Sequence, residues 1–344
     1  MKSYNNLILK NKYFLKANRK FLLNFCWSIL ISLIAIFSLF LIVMIDDKGF
    51  NFNLLFLSYK YILIKIPIVA FCLGVSSFLI QHSSGNRMAD TSVLGLGNIN
   101  SLFVILLVLF LLDNTNIDSQ NLYNTLLPFV FIFGSIFASL ILFFLSSKKG
   151  NQISKKFIIV GILINFFIIG LSTAFSSLLT SGESQLISRF VHGNLSPITG
   201  SPYFLVCGVM TVILLIWIIL ISNKFKIVST NHIIAKELGI NSNSITMQIL
   251  IISGGLTGIA YALCGNLVFL GLVAGNIATS IFKKNIKFGV WCSFTSSIVI
   301  LSLTFWIFES IIPSALNYQI PAIDTVNVVS VICIPYFLYL MFKE

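Results

Sequence analysis

Charge is scarce in this chain of 344 residues. Acidic and basic side chains make up 9% of it, hydrophobic ones 57%, and the mean hydropathy is +0.99. A soluble fold of this size cannot solvate that much apolar surface, which excludes a water-soluble enzyme or binding domain. Carboxylates and histidines are rarer still inside the long apolar runs, where only His82, Glu309 and Asp324 stand near span ends. An ion-coupled secondary transporter usually keeps carboxylates or histidines within its spans, so that class is the alternative with little to support it here. No Gly-x-x-x-x-Gly-Lys-Ser/Thr loop occurs, so ATP chemistry must come from another chain. No His-rich, Asp-x-x-Asp or Ser/Lys constellation marks a membrane-embedded enzyme, and no catalytic residue is predicted. The three histidines, His82, His192 and His232, are isolated in sequence. Six cysteines (Cys26, Cys72, Cys207, Cys264, Cys292 and Cys333) lie in apolar runs without metal-ligand spacing, which predicts packed small hydrophobes and no metal site.

What the chain has instead is a succession of Phe-, Leu- and Ile-rich runs, each about as long as the twenty residues that cross a bilayer core. They lack the ten-residue alternation of a membrane barrel, so the fold class is all-α and polytopic. Ten spans fit, at roughly 21–45, 62–82, 93–112, 125–146, 157–179, 201–221, 245–264, 267–281, 288–309 and 322–342. The first is too long for a signal-peptide core and has no small-x-small site after it, so it is expected to remain as a span. The eighth is short and bracketed by Gly265, Gly271 and Gly275, as in a broken span lined by protein. The division expected is a basic cytoplasmic segment, 1–20, and one ten-span domain, 21–344. The formal charge of +12 does not point to nucleic acid, because its basic residues concentrate in alternate connecting segments. That asymmetry places both termini in the cytoplasm of a multi-pass cell-membrane protein.

The stretch from Asn231 to Thr279 organises the rest. Its polar start holds one helical turn, Ala235-Lys236-Glu237-Leu238, closed by Gly239. A connection that only rejoined two spans could be shapeless, whereas this one has a helix former, a C-cap glycine and an apolar leucine, as a docking surface would. Span five carries Gly161, Asn165, Ser172 and Ser176 within about 40° of one face at about 100° per residue. Such a stripe must face protein or water, so it either packs a helix or lines a path. Lys65-Ile66-Pro67 is expected just before span two on the outer side, with the proline in a first helical turn.

In order along the chain, Lys65-Ile66-Pro67, Gly74, Gln81, Asn86, Ala89-Asp90, Leu94-Gly95, His192-Gly193-Asn194-Leu195-Ser196, Ala235-x-x-Leu238-Gly239, Phe269-Leu270-Gly271-Leu272-Val273 and Pro335-Tyr336-Phe337-Leu338-Tyr339-Leu340 resemble the FecCD/BtuC-type permeases of ABC importers for iron-siderophore, haem and cobalamin. The resemblance implies a ten-span permease that pairs with a second permease chain, identical or not. It also implies ABC ATPase subunits inside, which hold the ATP, and an extracellular substrate-binding protein, typically a lipoprotein. Carried over by position, Ala235, Lys236, Leu238 and Gly239 form the ATPase-coupling helix, Lys65 is a docking charge for the binding protein, and span five lines the translocation path. Gln81, Asn86, Gly95, Gly193 and Gly271 are motif positions, and the permease chain itself binds no cofactor. This sequence departs from the pattern at several places. Ile68 replaces a second docking arginine, Arg87 and Thr91 replace two prolines around Ala89-Asp90, Gly275-Asn276 replaces Pro-His, and Ala322–Val326 replaces Glu-Leu-Pro-Val-Gly.

Overall fold

The computed structural model describes residues 2–43, 52–111, 117–146, 156–191, 193, 201–282, 285–311 and 325–343, and among them there are helices and no strands. The helices are α1 (Lys2–Val43), α2 (Phe52–Ser84), α3 (Leu96–Leu111), α4 (Ile117–Ser146), α5 (Lys156–Ser176) and α6 (Ser181–Val191). They continue as α7 (Ser201–Thr230), α8 (His232–Glu237), α9 (Ser242–Cys264), α10 (Leu270–Phe282), α11 (Ile286–Trp306) with a π turn at Ile307–Ile311, and α12 (Thr325–Lys343).

Seven of these are long and apolar enough to cross a membrane: parts of α1, α2, α4, α5, α7, α9 and α11. Three shorter apolar stretches, Leu96–Phe110, Leu270–Phe282 and Val328–Tyr339, supply the remaining three of the ten expected segments. The thirteen residues of α10 cover only about 20 Å of axis, less than a bilayer core. That short helix is tolerated because most of its side chains are buried in protein rather than set against lipid.

Burial orders the bundle. In α9, 83% of the span is enclosed, and in α2, 67%, whereas α5 reaches 17% and α1 and α7 each 22%. Thus α2 and α9 are the inner pair, with α4, α10 and α11 packed on them and α1, α5 and α7 outside. Small residues make the inner contacts possible. A Cβ on Gly258 would stand 2.5 Å from the Phe131 carbonyl oxygen, and one on Gly254 2.7 Å from that of Ser135. The Gly254-x-x-x-Gly258 spacing therefore lets the backbones of α9 and α4 touch, where dispersion replaces the hydrophobic drive that lipid removes.

Two sequence expectations are corrected. Pro67 lies well inside α2 rather than in its first turn. It leaves the Leu63 carbonyl without its usual donor, a defect that neighbouring helices can absorb in a membrane. The segment after span five holds α6, whose start is closed by the Glu183 carboxylate accepting from the Thr180 N–H at 2.8 Å. Five cysteines are buried, but Cys26 is exposed on the outer face of α1.

Candidate functional site

Two places gather the residues singled out above: the α8 turn and the connector between α2 and α3. At α8, the Asn231 side chain accepts from the Ile233 N–H at 2.9 Å, an N-cap that satisfies one orphan donor. At the other end Ile240 N–H donates to the Ala235 carbonyl at 2.9 Å and Gly239 N–H to the Lys236 carbonyl at 3.0 Å. This is a Schellman closure, and it needs the positive φ of 71° that Gly239 supplies. Six helical residues could not hold together alone in water, so both caps matter.

The orientation of that turn differs from a simple leucine anchor. Ala235 is fully buried, whereas Leu238 is 62% exposed and Ile233 70% exposed. Lys236 and Gly239 are exposed as well. The turn is thus fastened to the bundle through Ala235 and presents Ile233, Ile234 and Leu238 outward.

The connector, residues 85–95, folds into the protein and is pinned on three sides. Asn86 closes its first turn by accepting from Met88 N–H at 2.8 Å. The Asp90 carboxylate accepts from the Ser77 hydroxyl on α2 and from both the hydroxyl and N–H of Ser92. Burial pushes the Asp90 carboxyl above the usual range, and those hydrogen bonds oppose the rise. Ser92 also accepts from Phe269 N–H at 3.3 Å. Phe269 sits at φ 65°, an uncommon conformation for a bulky side chain, and its ring stacks on Phe337 of α12 at 5.1 Å. Gln81 donates to the Leu272 carbonyl at 3.3 Å, and Asn276 donates to the same oxygen at 2.9 Å. Gly271 and Gly275 leave room for Ser77 and Gln81, respectively. Of the motif positions, Gln81 and Gly271 accordingly belong to one buried seam between α2, the connector and α10, while Asn86 closes the connector's first turn and Gly95 faces Asn165 of α5. Gly193 is buried too, with φ 72°, but stands apart after α6.

The span-five stripe divides. Gly161 packs against Leu94, and Asn165 packs against Gly95 while accepting from the Asn98 amide at 2.7 Å. Ser172 has a buried hydroxyl without a hydrogen-bond partner, and Ser176 is exposed, donating to its own helix. Sequence reasoning passed over Asn98 and Asn100, although two amides in an apolar run are costly in lipid and signal a partner. Asn100 finds Ser135 at 2.6 Å. Lys65 is fully buried in α2, which is not the accessible position a docking charge requires. His82 is half-buried, with Nδ1 3.2 Å from the Phe78 carbonyl, while His192 and Asp324 lie outside the described residues. Among the described residues no group of three His, Cys, Asp or Glu is arranged to hold a metal.

A model of the FecCD transport family matches residues 21–343. The chain belongs to the FecCD transport family. It is 27% identical over 285 residues to the iron-uptake system permease protein FeuB of Bacillus subtilis, covering 80% of this chain and 78% of that one. With the iron(3+)-hydroxamate import system permease protein FhuG of the same organism it shares 25% over 274 residues, 79% of this chain and 78% of that one. Among solved structures, an inward-facing metal-chelate type ABC transporter superposes with a TM-score of 0.74 at 14% identity, covering 92% of this chain and 99% of that one. As a FecCD chain the protein is a multi-pass transport subunit and not an enzyme. The family's permeases work with ATPase and substrate-binding partners and as a permease pair. Two departures from the FecCD pattern meet in the seam: Asn276 also donates to the Arg87 carbonyl at 2.9 Å.

Proposed function

We propose that this chain is the membrane subunit of an ATP-driven importer that carries an iron chelate of the siderophore type, or a related large metal chelate, inward across the plasma membrane. The observation that carries the proposal is α8, capped at both ends, fastened by buried Ala235 and showing Ile233, Ile234 and Leu238 to a partner. Exposed apolar side chains on a rigid polar connection fit a protein interface. Relatives named for iron uptake and iron-hydroxamate import support the cargo class.

In this account both termini, the basic segment 1–20 and the coupling segment at 230–243 lie in the cytoplasm. Residues 21–344 form the permease domain. ATP is bound by separate ABC ATPase subunits that grip Lys236, Leu238 and Gly239 on the turn that buried Ala235 holds to the bundle. An extracellular binding lipoprotein delivers the chelate, and a second permease chain, the same or different, completes the path. ATP shifts the permease only if α8 fits the two ATPase states unequally. Ser176, at the exposed end of the stripe beyond the Asn98 contact, forms the wetted wall of span five, with the Ser172 hydroxyl buried behind it.

The test is uptake of radioactive iron, supplied as hydroxamate and catecholate chelates, by cells lacking the chain and complemented with it. Leu238→Glu is expected to reduce uptake to background at unchanged membrane levels. Undiminished uptake in cells without an active partner ATPase would return the protein to the ion-coupled class.

A further inference from the structure

A groove of about 430 Å³ lies between the α8 end of α7 and the start of α9, and nothing above assigns it a role. From α7 it is lined by Trp217, Leu220, Ile221 and Lys224, an i, i+3, i+4, i+7 stripe on one face of the helix. From α9 come Asn241, Ser244 and Ile245 on one facing turn. The groove has a polarity gradient. Trp217, Leu220 and Ile221 are apolar, while Lys224 lies about 10 Å along the axis from Trp217, beside the polar Gly239–Ser244 end.

We infer that this groove binds one glycerophospholipid with an anionic headgroup. Three features select that occupant. The apolar part is continuous with the outward face of α7, where Ile216, Ile219 and Leu220 are exposed at 51%, 61% and 73% and meet hydrocarbon. The polar end is cationic: exposed Lys224 lines it, and no carboxylate does. Among the described residues no carboxylate pairs with Lys224, and no acceptor takes the Trp217 indole N–H. A phosphate at Lys224 pairs that charge, and one acyl chain runs from there along Ile221 and Leu220 to the Trp217 ring. Trp and Lys are the residues that anchor at this depth. Because Gly239 and Ile240 form the groove's outer wall, the lipid touches the segment that leaves α8.

Trp217 reports on the site directly. The intact chain is reconstituted in phosphatidylcholine vesicles containing increasing fractions of dibrominated phosphatidylglycerol or, separately, dibrominated phosphatidylcholine. Subtracting the emission of Trp217→Phe isolates the Trp217 signal from the other three tryptophans. Half-quenching is expected at about a fivefold lower fraction of the anionic lipid, the ratio of one lysine contact at a membrane surface. Lys224→Gln is expected to remove that ratio while leaving quenching by the neutral lipid unchanged. Equal half-quenching by the two lipids in the wild-type chain overturns the inference, whether or not the variant folds. So does anionic quenching that disappears on adding purified ATPase subunits, since the groove then receives protein rather than lipid.

Discussion

Asn276 on α10 holds the carbonyl oxygen of Arg87 at 2.9 Å, across 189 residues of chain. Each stands where the FecCD pattern expects another residue, a histidine at 276 and a proline at 87. The bond uses only the backbone carbonyl at 87, which a proline would offer as well, so it is the carboxamide at 276 that ties the connector to α10. A second bond from the same amide reaches Leu272, so Asn276 serves both partners at once.

Asn276→Leu keeps the branched outline at a larger volume and strips both donors. The Arg87 and Leu272 carbonyls then lose a partner in a buried place, at about 1–3 kcal/mol. Thermal unfolding followed with a thiol-reactive dye, which labels the five buried cysteines as they emerge, is expected to show an earlier midpoint. An unchanged midpoint would mean that water takes over both carbonyls.

At α8 the caps and the exposed face make separable predictions. Asn231→Ala removes the N-cap bond and should cost about 1 kcal/mol of local stability. Leu238→Glu changes a side chain that is 62% exposed, so the unfolding midpoint should stay put while stimulated ATP hydrolysis by the assembled complex is lost. Normal stimulated hydrolysis with Leu238→Glu would remove this face from the coupling surface.

The α9–α4 contact predicts a steric penalty. In Gly258→Val the new Cβ meets backbone at Phe131 and Ile132, which cannot swing away as a side chain would. The helices must separate, at about 1–3 kcal/mol or more. Dye-detected unfolding should move well below that of Gly170→Val, whose Cβ meets nothing within 4 Å.

Much of this architecture is legible in the residues. Apolar runs locate the helices, the Asn-and-Gly frame around Ala235 gives α8, and Gly254-x-x-x-Gly258 marks a helix contact. Thr180-x-x-Glu183, with capping-box spacing, marks the start of α6. Other features lie beyond periodicity. Which face of α5 meets Asn98 depends on a partner 67 residues away, and the folding of Asp90 under Ser77 depends on how α2, the connector and α10 converge. Lys65 shows the limit most clearly, because a lysine near a span end suggests an accessible charge until the neighbouring helices are in place.

That burial leads to a last prediction. With its side chain enclosed in the single chain, Lys65 has no free path to acidic groups of a binding protein. Lys65→Met preserves much of the stem's volume and removes the charge. Capture of a chelate-loaded binding protein by the reconstituted permease should then stay within about twofold of wild type, well under the tenfold that 1.4 kcal/mol represents. Lys65→Glu places a new carboxylate in the same enclosure, so its first effect should be a lower unfolding midpoint. If Lys65→Met instead loses capture at an unaltered midpoint, the ammonium must emerge when the partner arrives, and the docking role belongs to an outward conformation of α2.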